Sequence, residues 1–249
     1  VLKEGASAGP RWIEVAPERF PGWIASFGDR HGPVTVGTAT GENGRAAVTF
    51  AAADGAIARC YPPFPPLDPD HLVAGGAAAA SEPPAGTVRA VVRQARLIAA
   101  HAAADRTVGV LLVRLGGYAA GVFAGAPPQL VASKVGHRLV HGRSAAGGRS
   151  QHRFARRREK QASEALGAAA DTAAAVFGGY PGQLDALVLG GDRRAVAALR
   201  EDPRLAGYFR LAVDRFLTVP DPRLVVLKDT PRLFRAIHIQ LTEPAAAPA

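Results

Sequence analysis

The sequence predicts an α/β (α+β) protein: a mixed sheet with helices on its faces, preceded by a small α+β N-terminal domain. Three observations carry that reading. Between Val108 and Val135, three apolar runs are separated by glycine- and proline-rich turns, the pattern of an antiparallel meander. A single long helical stretch follows, from Ser150 to about Phe177. From there to Leu241, short strand-like and helix-like segments alternate, as they do when strands join a sheet through helical crossovers. At 249 residues the chain has room for one large domain or two small ones, each with its own core.

In chain order, residues 1–15 are mixed, with Pro10-Arg11-Trp12 leading into the first element. Pro17–His31 reads as a short helix, because Phe20, Trp23, Ile24 and Phe27 recur at helical spacing before the stop at Gly32-Pro33. Val34–Thr38, Ala46–Ala51 and Ala56–Tyr61 read as strands, parted by turn signals at Gly41–Gly44 and Asp54-Gly55. These make the N-terminal domain, residues 1–73. Residues 74–86 (AGGAAAASEPPAG) are low-complexity and predict a linker.

Residues 87–242 then form the second domain, with its core at 105–242. Thr87–Ala104 is an amphipathic helix, apolar at Val88, Val91, Val92, Ala95, Ile98 and Ala102. Val108–Leu115 and Tyr118–Ala124 flank Gly116-Gly117, a two-residue connection suited to a tight hairpin. Gln129–Val135 follows Pro127-Pro128. In the long helix, Phe154, Ala162, Ala165, Leu166, Ala169, Ala173, Val176 and Phe177 form the core-facing stripe, and Ser150 is placed to cap its first turn. Leu184–Leu189 is a buried strand stopped by Gly190-Gly191, and Asp192 caps a helix at 193–200. Phe216–Val219 is a strand, Pro222–Arg235 a helix interrupted at Pro231, and Ile237–Leu241 a final strand. Residues 243–249 are a disordered tail. The order β-β-β-α-β-α-β-α is the ribonuclease-H-like layout.

Charge is concentrated in one place. Lys134 to Lys160 holds nine basic residues against one acid, Glu159, and carries +8 of the formal +9; the rest of the chain has 21 bases and 20 acids. Such clustering points to a polyanion-facing surface. Arg outnumbers Lys 26 to 4, a ratio that composition bias explains, so only the clustering carries weight. The single Cys60 excludes a disulfide framework and a Cys-based zinc site, and fits a reducing cytoplasm. No apolar run approaches the roughly 18 residues of a membrane span, and no signal-peptide pattern opens the chain as given, which contains no Met.

Several chemistries can be weighed on the residues. A two-metal nuclease on this layout needs carboxylates on the first strand, but VGVLLVRL has none and offers Arg114; no acid lies between Arg106 and Arg158. Arg143–Ser150 is a near-miss to a Walker loop, lacking the first Gly and the Lys. His137 and His141 are four apart but lie in a strand-to-loop region without partner ligands, and no Ser-His-Asp set emerges. No metal or cofactor is implied. Arg153, Arg156, Arg157, Arg158 and Lys160 crowd the early turns of the helix, a one-signed run that suits phosphate. Gly147-Gly148 frees the loop before it, and Gln151 both donates and accepts hydrogen bonds. Such a loop suits orienting a nucleophile in an RNA-walled site; it could equally be a basic loop with an incidental Gln.

HGRSAAGGRSQHRFARRREKQ resembles the signature of the bacterial (actinobacterial-type) branch of the Vms-like release factors, whose core is similar to the middle domain of the eukaryotic and archaeal peptide-chain release factor. The resemblance spans roughly residues 105–242 and is most specific at 134–161. It implies release of stalled nascent chains from peptidyl-tRNA on the large ribosomal subunit, in the cytoplasm, without membrane or DNA partners. By this resemblance Gly147 and Gly148 match the loop glycines, Ser150 and Gln151 the Ser-Gln pair, and Gln151 the essential glutamine. The basic residues after Gln151, namely Arg153, Arg156, Arg157, Arg158 and Lys160, match positions expected to touch ribosomal RNA and tRNA; Lys134, Arg138, Arg143 and Arg149 join the RNA-binding set by their place in the basic stretch. Two departures stand out: Arg149-Ser150 separates Gly-Gly from Gln, and His152 replaces a second Gln. Two reactions stay open: hydrolysis of the peptidyl ester, which the likeness to termination factors favours, and cleavage near the 3′ CCA end by the tRNA's own 2′-OH. The alternative from a different class is a non-catalytic ribosome or RNA adaptor using only the Arg-rich helix.

Overall fold

The computed structural model describes residues 10–41, 44–64, 88–114, 116–138 and 150–244, with side chains left undescribed over 150–158. The expected linker at 74–86 and most of the expected tail lie outside the described residues. The chain forms two compact units, Val1–Ala104 with Arg235–Ala249, and Asp105–Phe234.

The first unit is an antiparallel sheet with helices on one face. Its strands are β1 (Arg11–Val15), β2 (Val34–Thr40), β3 (Ala46–Ala52), β4 (Ile57–Tyr61) and β10 (Ile237–Thr242), in the order β1-β10-β4-β3-β2. A 3-10 turn at Pro17–Arg19 leads into α1 (Phe20–His31), and α2 spans Val88–Ala103. Strand side chains alternate between faces, so Val48, Phe50, Ala58, Cys60, Ile239 and Leu241 meet the helices together. Phe20, Ile24 and Phe27 from α1, and Val91, Ala95, Ile98 and Ala102 from α2, close that core. Asp54 fastens the β3–β4 turn: its Oδ1 accepts from Ala56 N–H at 2.9 Å, its Oδ2 lies 2.8 Å from His31 Nδ1, and Gly55 takes φ +94°.

Two elements fall on the other side of the expected boundary. The helix 88–103 and the strand Ile237–Thr242 were expected in the second domain, 87–242. Instead β10 is sandwiched between β1 and β4, and α2 packs against α1. The tertiary reason is that Ile237, Ile239 and Leu241 present an alternating apolar face that only the first sheet's core buries. The strand at Arg11–Val15, five residues at a sheet edge, carries too short an alternation to be legible alone.

The second unit has β5 (Val108–Arg114), β6 (Gly117–Ala124), β7 (Gln129–His137), β8 (Ala186–Gly191) and β9 (Ala212–Leu217), ordered β7-β6-β5-β8-β9. The first three are antiparallel, β8 runs parallel to β5, and β9 parallel to β8. This is the expected ribonuclease-H-like mixed sheet. Helix α3 (Ser150–Phe177) and α4 (Arg193–Leu199) contribute Ala169, Ala173, Phe177, Val196 and Leu199 to one face, over Leu111, Val113, Tyr118, Ala120 and Leu187. The short α5 (Ala206–Phe209) adds Phe209 there. On the opposite face α6 (Leu224–Lys228) and α7 (Thr230–Phe234) follow, with Phe123 and Phe234 edge to face at 5.7 Å.

Local departures have local causes. Arg114 pairs with Gly117, so Gly117 belongs to β6 and not to the connection, and Gly116 takes the φ of +90° that only glycine adopts freely. Gly190-Gly191 does not stop β8 but ends it from within. A Cβ on Gly190 would stand 2.8 Å from both Leu217 O and Leu112 Cδ2, so the close spacing of β5, β8 and β9 requires glycine. The helix over 222–235 breaks at Asp229, not Pro231. Pro231 sits in the first turn of α7, where a missing N–H costs nothing. The Asp192 cap is as expected: Oδ1 accepts from Arg194 N–H at 2.7 Å and Ala195 N–H at 3.1 Å. No described helix is long and apolar enough to cross a membrane.

Candidate functional site

The basic stretch begins on β7, an edge strand. Lys134, His137 and Arg138 are all exposed there, and Arg138 N–H donates to Gly116 O at 2.8 Å, extending the ladder one residue past the strand. Gly136 lies under the Tyr118 ring, which leaves no room for a Cβ. The chain therefore leaves the sheet at the β5–β6 hairpin end with its positive charge outward.

It re-enters the described residues at Ser150, the first residue of α3, so Gln151 falls in the first helical turn rather than in a free loop. Gly147, Gly148, Arg143, Arg149 and His141 lie outside the described residues, as do the side chains of Ser150, Gln151, Arg153, Arg156, Arg157 and Arg158. The direction of α3 follows from its contacts. Ala162, Ala165 and Leu166 lie by Val113 and Gly116 at the C-terminal end of β5, whereas Phe177 lies by Gly109 near its start. Among the described side chains of α3, Ala165 is the first that is buried, and none of residues 159–164 is. Ala162, expected in the core stripe, is exposed and lines a hollow instead.

At ~1.5 Å per residue, Gln151 stands roughly 20 Å along the axis from the buried Ala165. The C-terminal half of α3 packs on the core through Ala169, Ala173 and Phe177. On its exposed side Lys160 Nζ lies 3.9 Å from Glu164 Oε1, an i,i+4 pair of small energetic weight.

Where α3 leaves the sheet it covers a hollow of about 320 Å³, lined by Val113, Gly116, Ala162, Leu166, Asp192 and Arg194 among others. Sequence reading found Asp192 only as a cap and did not bring Arg194 here; some 80 residues separate this pair from Val113, so no local signal could have. Asp192 is the only carboxylate among the lining residues, and its Oδ1 is committed to two helix N–H groups. Among the described residues no group of three or more His, Cys, Asp or Glu is arranged to hold a metal. Arg114, at the end of β5, is structural: its guanidinium donates to Val219 O at 2.7 Å and ties the loop after β9 to the sheet.

A model of the Actinobacteria/chloroflexi VLRF1 release factor family matches residues 106–240, more than half of the chain, including the whole basic stretch. No curated protein matches. Among solved structures, one titled "Vms1 mitochondrial localization core" is alike over 77% of this chain and 74% of its own, at 11% sequence identity and a TM-score of 0.36. The edge-strand exit, the long helix behind the basic segment and the family match converge: the chain belongs to the Actinobacteria/chloroflexi VLRF1 release factor family, a family of ribosome-associated release.

Proposed function

We propose that this protein frees stalled nascent chains by cleaving peptidyl-tRNA on the large ribosomal subunit in the cytoplasm, with Gln151 orienting the nucleophile. The observation that carries this reading is the exposed basic run on the edge strand, Lys134, His137 and Arg138, leading into the basic segment that continues as α3. It supports a basic surface that meets a polyanionic substrate.

In the favoured reaction, the Gln151 side-chain carbonyl accepts from a water, whose oxygen attacks the ester carbonyl of peptidyl-tRNA. The 3′ oxygen of the tRNA leaves with a proton, and the peptide departs as a free acid. Glutamine cannot take the proton, so its contribution is positioning, worth several powers of ten when the geometry is right. Gly147 and Gly148 let the preceding backbone approach RNA closely, and Ser150 supports the first turn of the helix. Lys134, Arg138, Arg143, Arg149, Arg153, Arg156, Arg157, Arg158 and Lys160 neutralise phosphates of ribosomal RNA and tRNA. The other reaction has the tRNA 2′-OH attack a phosphate near the CCA end, leaving a shortened tRNA.

Stalled large subunits carrying labelled peptidyl-tRNA test this. Wild type releases peptide, and Gln151→Ala binds the subunits equally well but releases at least a hundredfold more slowly. Equal release by both removes Gln151 from the chemistry, and no release by either favours the adaptor reading. An intact CCA end on the product tRNA marks ester hydrolysis, whereas a shortened end marks cleavage of the tRNA.

A further inference from the structure

The hollow bounded by α3, the end of β5 and the start of α4 occupies a particular place in the second sheet. From β5 the chain moves outward through β6 to β7, then returns to the other flank of β5 as β8 and moves the opposite way to β9. Strand order therefore reverses between β5 and β8, which run parallel. Val113, in the last β5–β8 pair, and Asp192, which follows β8, both line the hollow. It thus opens at the carboxyl ends of the two strands. In open α/β sheets, the crevice outside the carboxyl ends at such a reversal is where ligands bind.

Local sequence keeps the space unfilled. Three alanines, Ala162, Ala165 and Ala195, stand on its walls. Gly191, at φ +99°, lets the chain turn so close to β5 that Asp192 N–H donates to Val113 O at 2.7 Å; a Cβ on Gly191 would collide with that same oxygen. At about 320 Å³ the hollow has the size of a small-ligand site.

Two polar groups stand in this apolar setting. Asp192 is half-buried and commits Oδ1 to helix N–H groups, while among the described residues Oδ2 accepts no hydrogen bond. Arg194 is exposed, and among the described residues its guanidinium makes no ion pair or ring contact. On the same helix Arg193 lies over Phe216 at 4.3 Å, and Arg200, its C-cap, over Phe209 at 4.8 Å. All 11 acids of the second unit are described, against 20 Lys and Arg, and none of them pairs with Arg194. A free carboxylate oxygen and a free guanidinium beside an aliphatic wall suit a ligand with hydroxyl donors, an anionic group and a flat apolar body. A ribonucleotide has all three: ribose hydroxyls for Asp192, phosphate for Arg194, and a base for Val113 and Leu166. A fatty acid would set methylenes against Asp192, and inorganic phosphate would face it with like charge.

We propose that this hollow is a ribonucleotide-binding site, which holds one nucleotide, free or at the unstacked end of an RNA strand. The site uses no residue of the basic stretch and requires no role for Gln151, so its failure would leave the release reading untouched.

The test uses the full chain at about 0.15 M salt, where loose attraction to exposed charge is largely screened. AMP, 2′,3′-dideoxy-AMP, the trinucleotide ApApA and free amino acids are titrated by calorimetry. AMP is expected to bind saturably, and its dideoxy form about tenfold more weakly. Ala162→Phe, at an exposed helix position, fills the hollow and removes saturable AMP binding. Arg194→Gln weakens AMP about tenfold, whereas Arg210→Gln, the same charge loss at an exposed arginine outside the lining, does not. Asp192→Asn keeps the helix cap and loses the discrimination between AMP and its dideoxy form. Thermal melts of all variants coincide; if Ala162→Phe melts lower, the comparison of Arg194→Gln with Arg210→Gln decides alone. ApApA binding more tightly than AMP marks an RNA end as the source, and affinity no greater marks a free nucleotide. AMP binding undiminished in Ala162→Phe overturns the proposal, as do equal losses in Arg194→Gln and Arg210→Gln. So does the absence of saturable nucleotide binding to wild type up to about 10 mM, or binding of amino acids in place of nucleotides.

Discussion

Asp54 shows how much one exposed carboxylate can organise. Its pKa is held below the usual aspartate range, first by the Ala56 N–H that its Oδ1 accepts and then by His31 on its other oxygen. A folded-state pKa below the unfolded value contributes stability that is fully present above the ordinary aspartate pKa of about 3.9 and is lost as pH falls through the folded value. Asp54→Asn is therefore expected to be less stable than wild type at pH 6, with the gap narrowing once pH drops below about 4. Urea unfolding at several pH values reads this directly, and a gap that widens on acidification contradicts it. Asp192 is comparable in kind but was legible earlier. An aspartate immediately before a helical run has one common use, and the structure finds it in that use. Arg114 was visible only as the place where an acid was missing; its bond to Val219 O spans 105 residues, which no spacing argument reaches.

Among the elements, α3 is the one on which the proposed function turns. Its apolar spacing predicted a helix of the right length, but also predicted a buried Ala162, which is exposed; Phe154, expected in the same stripe, lies outside the described side chains. Periodicity reports which side of a helix is apolar and not where the underlying sheet ends. Ala162 is exposed beside a hollow near Val113 and Gly116, so a position on the apolar stripe is left uncovered. Within the anchored half, Gly167 is exposed, and a Cβ there would meet nothing within 4 Å. Glycine in a helix interior costs about 1 kcal/mol relative to alanine. Gly167→Ala is expected to raise stability by about 0.5–1 kcal/mol in denaturant unfolding while leaving release unchanged. A loss of release with a gain in stability would reveal that α3 has to bend at this point.

For the molecule as a whole, charge and topology act on different problems. A net charge of +9, nearly all of it within 27 residues, makes association with RNA steeply salt-dependent whatever the chemistry that follows. Replacing Arg153, Arg156 and Arg157 with Gln should flatten the salt slope of ribosome binding by about 2 and reduce release at limiting protein. Release should recover at saturating protein if these residues only bind. Persistent loss at saturation would place them closer to the reaction.

The order of strands and helices from Val108 to Phe234, the tight turns, the Asp192 cap, the basic segment and its resemblance were all available to a reader of the sequence, because each rests on spacings of a few residues. Three things were decided only in the tertiary structure. The strand Ile237–Thr242 crosses back to pair with β1 and β4, more than 170 residues earlier. The helix Val88–Ala103 joins the first unit. Ala162, on the apolar stripe of α3, is left exposed. All three depend on which apolar faces find each other, a contest among distant segments that local pattern does not record.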